Sequence, residues 1–260
     1  MPRKKREEEP KPKIVWKTAD QYLEERKKVE HVSTNTLIDE LIGGGIEKGE
    51  VLEFYGEYAS GKTQICLSLA TTVLGEVAYV DCEDTFKPER IAEIARNRGL
   101  DPKKVLGKIH LCQVYTVAEQ IATLDAVEEK KPEIIIIDGL TTLFREEYIG
   151  RETLVTRQGI LRTYLHSLKK YARENNVAIV VTNQVFSNPS GSPFLPLEYL
   201  ELAVGGNTLY HTLDNRIFIR KGAGGKRIAK LVDSSMYPPG ERPFIISGKG
   251  VEPLLEKKQE

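Results

Sequence analysis

Eight consecutive residues have the types and the spacing of a phosphate-binding loop. Their pattern is G-x-x-x-x-G-K-[ST], in which glycines let backbone N–H groups face phosphates and the lysine reaches the β and γ oxygens. The last hydroxyl can ligate Mg²⁺, and the helix that follows adds the positive end of its dipole. We therefore predict a nucleotide site formed by Gly56, Glu57, Tyr58, Ala59, Ser60, Gly61, Lys62 and Thr63.

A second candidate is Asp138, which directly follows four isoleucines at 134–137. An acid at the end of an apolar strand is common, but beside a P-loop it has the position of a Walker B carboxylate. Such a carboxylate holds the water shell of Mg²⁺. We predict Thr63 and Asp138 as the magnesium-binding residues.

Hydrolysis also needs a group that orients or deprotonates water. Glu83 and Asp84 follow the strand-like run 77–80, where either acid could do this or simply cap the next helix. Asn183 and Gln184 follow another such run, where they could sense the terminal phosphate or merely end a polar strand. The residues alone leave these alternatives open.

The elements that must position these residues alternate between β-rich runs and amphipathic stretches. Strands separated by helices imply right-handed crossovers and a mostly parallel sheet, so we predict an α/β/α three-layer domain. After residue 209 the pattern favours antiparallel strands, at 214–220, 226–232 and 243–246. The earlier predicted strands are 51–55, 77–80, 109–114, 133–137 and 177–182, and the helices are 62–74, 88–98, 117–129 and 156–175.

The composition excludes several classes of protein. The 260 residues suffice for one sizeable core, and 38 Lys+Arg balance 38 Asp+Glu, which excludes histone-like binding through bulk positive charge. No apolar run approaches the roughly 18 to 20 residues of a membrane span, so we expect a cytoplasmic protein without a membrane partner. Cys66, Cys82 and Cys112 lack metal-ligand spacing and lie in or beside apolar runs, so we expect all three to be buried.

Seven further motifs extend the pattern along the chain. They are VST at 32–34, LIGGG at 41–45, DCEDTFKPER at 81–90, FREEYIGR at 144–151, TNQV at 182–185, RKG at 220–222 and LVDS at 231–234. With these motifs and the P-loop, the sequence from Trp16 to Gly250 resembles the catalytic core of the archaeal RadA recombinases, members of the RecA superfamily. The resemblance implies a RecA-like fold and ATP-dependent DNA strand exchange by a filament, with ATP bound between neighbouring subunits.

The resemblance also implies roles for individual residues. Glu83, rather than Asp84, matches the glutamate that activates water, and Gln184 matches the γ-phosphate sensor, so Glu83, Lys62 and Gln184 form the expected catalytic set. His211 resembles a histidine near the γ-phosphate, although without the family it would be read as a structural residue. Further expected nucleotide contacts are Gln64, Asp233 and Arg90, which resembles the arginine packed on adenine.

Two long loops are predicted to follow the strands that carry Asp138 and Gln184, and in the family such loops face DNA. The first, at about 145–158, carries three arginines, whose planar guanidinium groups suit phosphates. They are Arg145, Arg151 and Arg157.

The second predicted loop, at about 185–206, is too long for a passive connection in a compact domain. It contains no Lys or Arg and is unusually apolar, which departs from the family pattern. Aromatic rings there could stack on bases, or the segment could form a buried flap or a partner surface. The DNA contacts expected in it are Phe186, Gly205, Gly206 and Asn207.

Before the core, Thr18 and Gln21 have the spacing of a capping box, which predicts a helix at about 19–28. Trp16 and Ala19 resemble the family's F-x-x-A polymerisation motif, with Trp in place of Phe, and imply a subunit interface. The resemblance implies a helical N-terminal DNA-binding domain upstream of this motif, and we expect that domain to be absent here, because only a charged tail precedes Trp16. We predict a disordered tail (1–14), the motif with a linker helix (15–32), an ATPase core (33–250) and a C-terminal tail (251–260).

Two functional hypotheses follow. In the first, the protein is a DNA-dependent ATPase that uses ATP and Mg²⁺, binds single- and double-stranded DNA, and assembles with itself as a filament or ring to promote strand exchange. In the second, it is an accessory paralogue that binds ATP and single-stranded DNA and loads or regulates another recombinase subunit.

Overall fold

The computed structural model describes residues 15–187, 201–203 and 212–254, with side chains described for all of these except 186–187 and 201–203. These residues belong to two compact units, which divide between Glu30 and His31. Among the described residues, no helix is both long and apolar enough to cross a membrane.

The first unit contains helix α1 (Ala19–Arg26). The predicted capping box is confirmed: the N–H of Gln21 donates to the Thr18 hydroxyl at 3.2 Å, and the N–H of Thr18 donates to Gln21 Oε1 at 2.9 Å. The helix ends two residues before the predicted boundary. Trp16 lies just before the helix and is 91% exposed.

The second unit contains a short antiparallel pair, β1 (His31–Val32) with β2 (Ile46–Glu47), and a large sheet. The strands of the large sheet are β3 (Val51–Gly56), β4 (Val77–Asp81), β5 (Ile109–Gln113), β6 (Ile134–Asp138), β7 (Ala178–Ser187), β8 (Glu201–Ala203), β9 (Asn215–Lys221), β10 (Arg227–Ser234), β11 (Gly240–Ser247) and β12 (Gly250–Pro253). Their order is β12-β11-β10-β9-β3-β7-β6-β4-β5, and β8 pairs with β7. The six strands from β9 to β5 in this order are parallel, and β10, β11 and β12 continue antiparallel. The predicted α/β class and the antiparallel C-terminal strands are confirmed.

Six α-helices of this unit lie in the described residues. The helices are α2 (Lys62–Thr72), α3 (Pro88–Asn97), α4 (Pro102–Gly107), α5 (Val117–Val127), α6 (Thr142–Glu147) and α7 (Leu154–Asn175), and short 3-10 helices occupy Leu37–Leu41, Glu128–Lys130 and Ala223–Gly225.

The sheet separates two apolar cores. Ile134 and Ile136 of β6 pack into the core that contains α2 and α3, whereas Ile135 and Ile137 pack into the core that contains α5 and α7. The four side chains are at most 1% exposed. An unbroken apolar run is what a strand covered by helices on both faces requires, so the sequence-based expectation for this strand is confirmed.

The structure of this unit differs from several sequence-based expectations. β12 includes Val251–Pro253, so the segment predicted as a C-terminal tail begins as a strand of the sheet. Helices α4 and α6 were not predicted, because each is only six residues long and presents little periodicity. The expectation that all three cysteines are buried is wrong for Cys112, which is exposed on β5, the last strand in the order of the described sheet.

Candidate active site

The P-loop connects the carboxyl end of β3 to the first turn of α2. Gly61 caps this helix with φ +111°, a conformation that favours glycine. Lys62 Nζ donates to the carbonyl oxygens of Gly56 and Glu57, both at 3.0 Å, so the ammonium group lies within the loop. Burial lowers the pKa of Lys62, while the carboxylates of Glu83 and Asp138 act in the opposite direction.

Two other side chains of the loop differ in exposure. Tyr58 is 85% exposed. Ser60 is fully buried, and its hydroxyl has no hydrogen-bond partner among the described residues. Backbone N–H groups at a helix start, a lysine and an available hydroxyl form the donor set that polyphosphate oxygens require.

Asp138 ends β6 beside the P-loop and is almost completely buried. One carboxylate oxygen accepts from the Thr182 hydroxyl at 2.5 Å and the other from the Tyr79 hydroxyl at 2.8 Å. Burial raises the pKa of Asp138, and hydrogen bonds from Thr182, Tyr79 and Thr63 oppose that rise. Thr63 and Asp138 therefore lie together, as a shared Mg²⁺ site would require.

Glu83 and Asp84 point in different directions. The Asp81 carboxylate accepts from the backbone N–H groups of Glu83 and Thr85 at 3.2 Å, and so shapes the loop after β4. Asp84 accepts from the side chain of Gln113 at 2.9 Å, toward strand β5. Glu83 instead contacts Thr142, which follows β6, and Gln184 on β7, so the structure favours Glu83 over Asp84 for a role at the P-loop.

Two donors hold the Glu83 carboxylate. Its Oε1 accepts from the Thr142 hydroxyl at 2.6 Å and from Gln184 Nε2 at 3.1 Å. Gly139 makes room for this arrangement, because a Cβ at that position would lie 2.6 Å from Glu83 Oε1 and 2.9 Å from Thr142 Oγ1. Lys62, Asp138, Glu83 and Gln184 are thus brought to one edge of the sheet.

A buried polar network lies behind Gln184. Asn183 accepts from the Thr141 hydroxyl at 2.7 Å and donates to Glu53 Oε1 at 2.8 Å. The other oxygen of Glu53 accepts from Arg216 Nε at 2.6 Å. The network joins strands β9, β3 and β7 with the segment after β6, and fixes the backbone from which the Gln184 side chain projects.

Arg90 lies on α3 beside the start of α2. Its guanidinium donates to Gln64 Oε1 at 2.9 Å and to Glu93 at 2.8 Å, and also to the carbonyl of Ser247. Arg90 and Gln64, both predicted to contact the nucleotide, are therefore in direct contact with each other.

The prediction of a single loop over 145–158 is wrong. Arg145 is in α6, and Arg157 is in the first turn of α7, where it donates to the carbonyl of Tyr148 at 3.4 Å. Helix α6 forms because Leu143 and Phe144 are buried in the core beside α7. Arg151 is exposed in the short connection between the two helices.

The second predicted loop, 185–206, is also partly strand. Strand β7 continues to Ser187, and β8 pairs with it antiparallel. The side chain of Phe186 and all of Gly205, Gly206, Asn207 and His211 lie outside the described residues, so their predicted contacts remain predictions.

Asp233 is not brought to the P-loop of its own chain. It lies at the carboxyl end of β10, exposed, opposite Arg216 in the neighbouring strand. Because β10 is antiparallel to β9, this end of the strand lies at the opposite edge of the sheet from Gly56. A nucleotide contact by Asp233 would therefore have to reach the site of another subunit.

Four residues that shape the site were not predicted from the sequence. Thr142 and Gly139 follow Asp138 within four positions, so the rule that strand ends meet at one edge could have identified them. Asp81 and Tyr79 precede Glu83 on β4, but nothing in their spacing distinguishes them from core residues. Their roles become visible only when β4 and β6 are paired.

No cluster of three or more His, Cys, Asp or Glu side chains suited to a metal occurs in the part of the chain that the structure describes. Mg²⁺ at a nucleotide site is held by one or two protein groups together with phosphates and water, so Thr63 and Asp138 are a sufficient protein contribution. A cavity of about 700 Å³ lies elsewhere, at the far end of α2, where its lining includes Thr72, Arg98 and Lys249.

A comparison with known protein families gives a match over most of the chain. The family model described as Rad51 matches residues 25–254, which include the P-loop, Asp138, Glu83 and Gln184. The Rad51 family comprises RecA-like ATPases of DNA recombination and repair, which in general bind ATP with Mg²⁺. Proteins of this family bind DNA and oligomerise as filaments.

Proposed function

The chain belongs to the Rad51 family, and from this premise we propose that it is a DNA-dependent ATPase and recombinase of the archaeal RadA type. It would form filaments on single-stranded DNA and promote homologous pairing and strand exchange, in the cytoplasm. The observation that carries this proposal is the Glu83 carboxylate, held beside Lys62 and Asp138 at the mouth of the P-loop. Residues 33–250 are the proposed ATPase core.

We assign the hydrolytic step to groups at the edge of the sheet that carries the P-loop. Lys62 and the loop N–H groups bind the phosphates, and Glu83 accepts a proton from a water molecule as the oxygen of that water attacks the γ-phosphorus. The bond from that phosphorus to the β–γ bridging oxygen then breaks, which yields ADP and phosphate. Thr63 and Asp138 would hold Mg²⁺, which would supply charge neutralisation for the phosphate oxygens.

The proposed DNA contacts are the guanidinium groups of Arg145, Arg151 and Arg157. All three lie in or beside the connection between α6 and α7, which follows the strand that carries Asp138. Their spacing lets several guanidinium groups reach one phosphate backbone. Because the net charge of the chain is zero, affinity for DNA must come from such local contacts, repeated along an assembly.

Self-assembly is supported by two exposed features. Trp16, followed by the small residue Ala19, forms an aromatic anchor of the kind that dominates interface energy. Strand β5 is the last in the order of the described sheet and carries exposed Leu111, with exposed Tyr115 just after it. An edge strand of this kind can accept an extended segment from a neighbouring subunit.

A second candidate function is an accessory paralogue that loads or regulates another recombinase. The observation that favours it is the composition of segment 185–206, which contains no Lys or Arg and carries an apolar stretch at 193–197. Such a segment would suit a partner surface as well as it would suit stacking on bases.

One assay separates the two functions. The protein is incubated with ATP, Mg²⁺, single-stranded DNA and a homologous supercoiled duplex, with and without an added recombinase. Joint molecules formed by this protein alone support the recombinase and exclude a purely accessory role. Joint molecules that appear only with the added recombinase, at a rate raised by this protein, would establish the accessory function instead.

A further inference from the structure

A chain of hydrogen bonds leads from the segment proposed to contact DNA to the proposed water-activating carboxylate. Arg145 Nη1 donates to Gln184 Oε1 at 3.3 Å. The amide nitrogen of the same Gln184 donates to Glu83 Oε1 at 3.1 Å. Each residue donates to the next, so the chain runs from Arg145 on α6 through Gln184 on β7 to Glu83 in the loop after β4.

The orientation of Gln184 is fixed by its two partners. A guanidinium can only donate and an ionised carboxylate can only accept, so the carboxamide must turn its oxygen to Arg145 and its nitrogen to Glu83. If Arg145 moves away, the amide loses the contact that holds its oxygen in place. The hydrogen bond to Glu83 then has no fixed geometry.

The Gln184 contact restrains Glu83. A carboxylate oxygen has about two lone-pair sites, and Oε1 already accepts from both Thr142 and Gln184. This oxygen is therefore saturated, and its two donors fix the orientation of the whole carboxylate, including Oε2, which accepts from neither of them. Release of the Gln184 donor would free a lone pair and allow the side chain to rotate.

Arg145, in helix α6, is the partly exposed member of this chain. Its contact with Gln184 is a long bond from Nη1 to a neutral oxygen. A DNA phosphate offers a charged acceptor and bidentate geometry, and such bonds are roughly twice as strong as bonds to neutral groups. A phosphate that engages Nη1 of Arg145 would therefore compete with Gln184 for the same donor.

We propose that Arg145 is a positioning residue that couples DNA binding to ATP hydrolysis by holding Gln184 against Glu83 until DNA engages its guanidinium. This inference rests on the proposed function, because it assigns a means of regulation to the same site. DNA would raise turnover by removing a restraint, and a variant without the Arg145 guanidinium should lack that restraint even in the absence of DNA.

The test compares steady-state ATP turnover of the wild type and Arg145→Ala, with no DNA and with saturating single-stranded DNA. Without DNA, we expect kcat of Arg145→Ala to rise by roughly threefold to tenfold, the effect of losing about one hydrogen bond, with KM for ATP unchanged. Stimulation by saturating DNA should fall by a similar factor. Arg145→Lys, which keeps a cationic donor, should return DNA-free kcat toward the wild-type value.

The matched control is Arg162→Ala, an exposed arginine on α7, which should leave both rates unchanged. Arg145→Met is measured in parallel, because it keeps the aliphatic length and preserves packing if Arg145→Ala lowers the melting temperature. An unchanged or lower DNA-free kcat in a folded Arg145 variant would overturn the coupling proposal alone. Absence of DNA stimulation in the wild type would overturn the DNA-dependent ATPase as well.

Discussion

Arg216 Nε lies 2.6 Å from Glu53 Oε2, and both side chains are completely buried in the sheet. Arg216 is on β9 and Glu53 is its direct neighbour on β3. The Arg216 guanidinium also lies 4.7 Å from the ring centroid of Tyr55. Since the second oxygen of Glu53 accepts from Asn183, this ion pair supports the strand end that carries Gln184.

We predict that Arg216→Met lowers the free energy of unfolding by about 3 to 5 kcal/mol, because it leaves the buried Glu53 carboxylate without its cation. Urea-induced unfolding measures this change. The control is Arg242→Met, which removes an exposed partner of Glu40 and should cost no more than about 1 kcal/mol. Similar losses in the two variants would show that the buried pair has no special role in stability.

Asp138→Asn is expected to stabilise the metal-free protein while it abolishes hydrolysis. Burial raises the pKa of Asp138 in the folded state, so its contribution to stability is fully present at low pH and is lost as pH rises through that raised value. Asparagine does not ionise. The stability advantage of the variant should therefore grow as the pH rises from the ordinary carboxyl range through the raised pKa of Asp138.

Unfolding in urea across this pH range, in chelator, measures the effect of Asp138→Asn. Added ATP with Mg²⁺ should stabilise the wild type more than the variant, because ligands stabilise the state that binds them. A variant less stable than the wild type at pH 8 without metal would contradict the assignment of Asp138 as a buried carboxylate whose ionisation lowers the stability of the folded protein.

Gly139→Ala tests the close approach of Glu83. The added Cβ would lie 2.6 Å from Glu83 Oε1, so the carboxylate must shift, and a displacement of about 1 Å costs roughly 100-fold in rate. We expect kcat to fall by roughly 10- to 100-fold while ATP affinity is retained. Gly107→Ala, where no atom lies within 4 Å, is the control, and equal kcat in the two variants would remove Gly139 from the site.

Trp16→Ala tests assembly. If this exposed aromatic side chain anchors the next subunit, its loss should weaken each contact by about 2 kcal/mol or more and shift sedimentation with ATP and DNA toward the monomer. Tyr22→Ala removes another exposed aromatic side chain, on α1, and should leave the assembly size unchanged. An unaltered filament with Trp16→Ala would show that assembly uses another surface.

The parallel core was predictable because its signals are local. The isoleucines of β6 and the P-loop pattern specify a buried strand and a strand–loop–helix unit without reference to distant residues. The ends of α6 and α7 were not predictable, since they depend on packing of Leu143 and Phe144 against another helix. Exposure of Cys112 likewise depends on which strand lies at the edge, which periodicity does not reveal.

The site was predictable only in part. Lys62 and Asp138 follow from motif and strand position, whereas spacing alone left Glu83 and Asp84 equivalent. Asp81 distinguishes them in the structure, because its carboxylate fixes the turn after β4 and directs the two acids to opposite sides. The contact of Arg145 with Gln184 joins residues 39 positions apart and had no local signal.

Steady-state phosphate release by the wild type and Glu83→Gln, each with and without single-stranded DNA, tests whether Glu83 activates water in a DNA-dependent ATPase. We predict that DNA raises wild-type turnover, and that Glu83→Gln still binds ATP but loses about 100-fold or more in turnover, as expected for a lost general base. Asp84→Asn should behave as the wild type. Wild-type turnover indifferent to DNA, or near-normal turnover by Glu83→Gln, would contradict the proposed DNA-dependent ATPase.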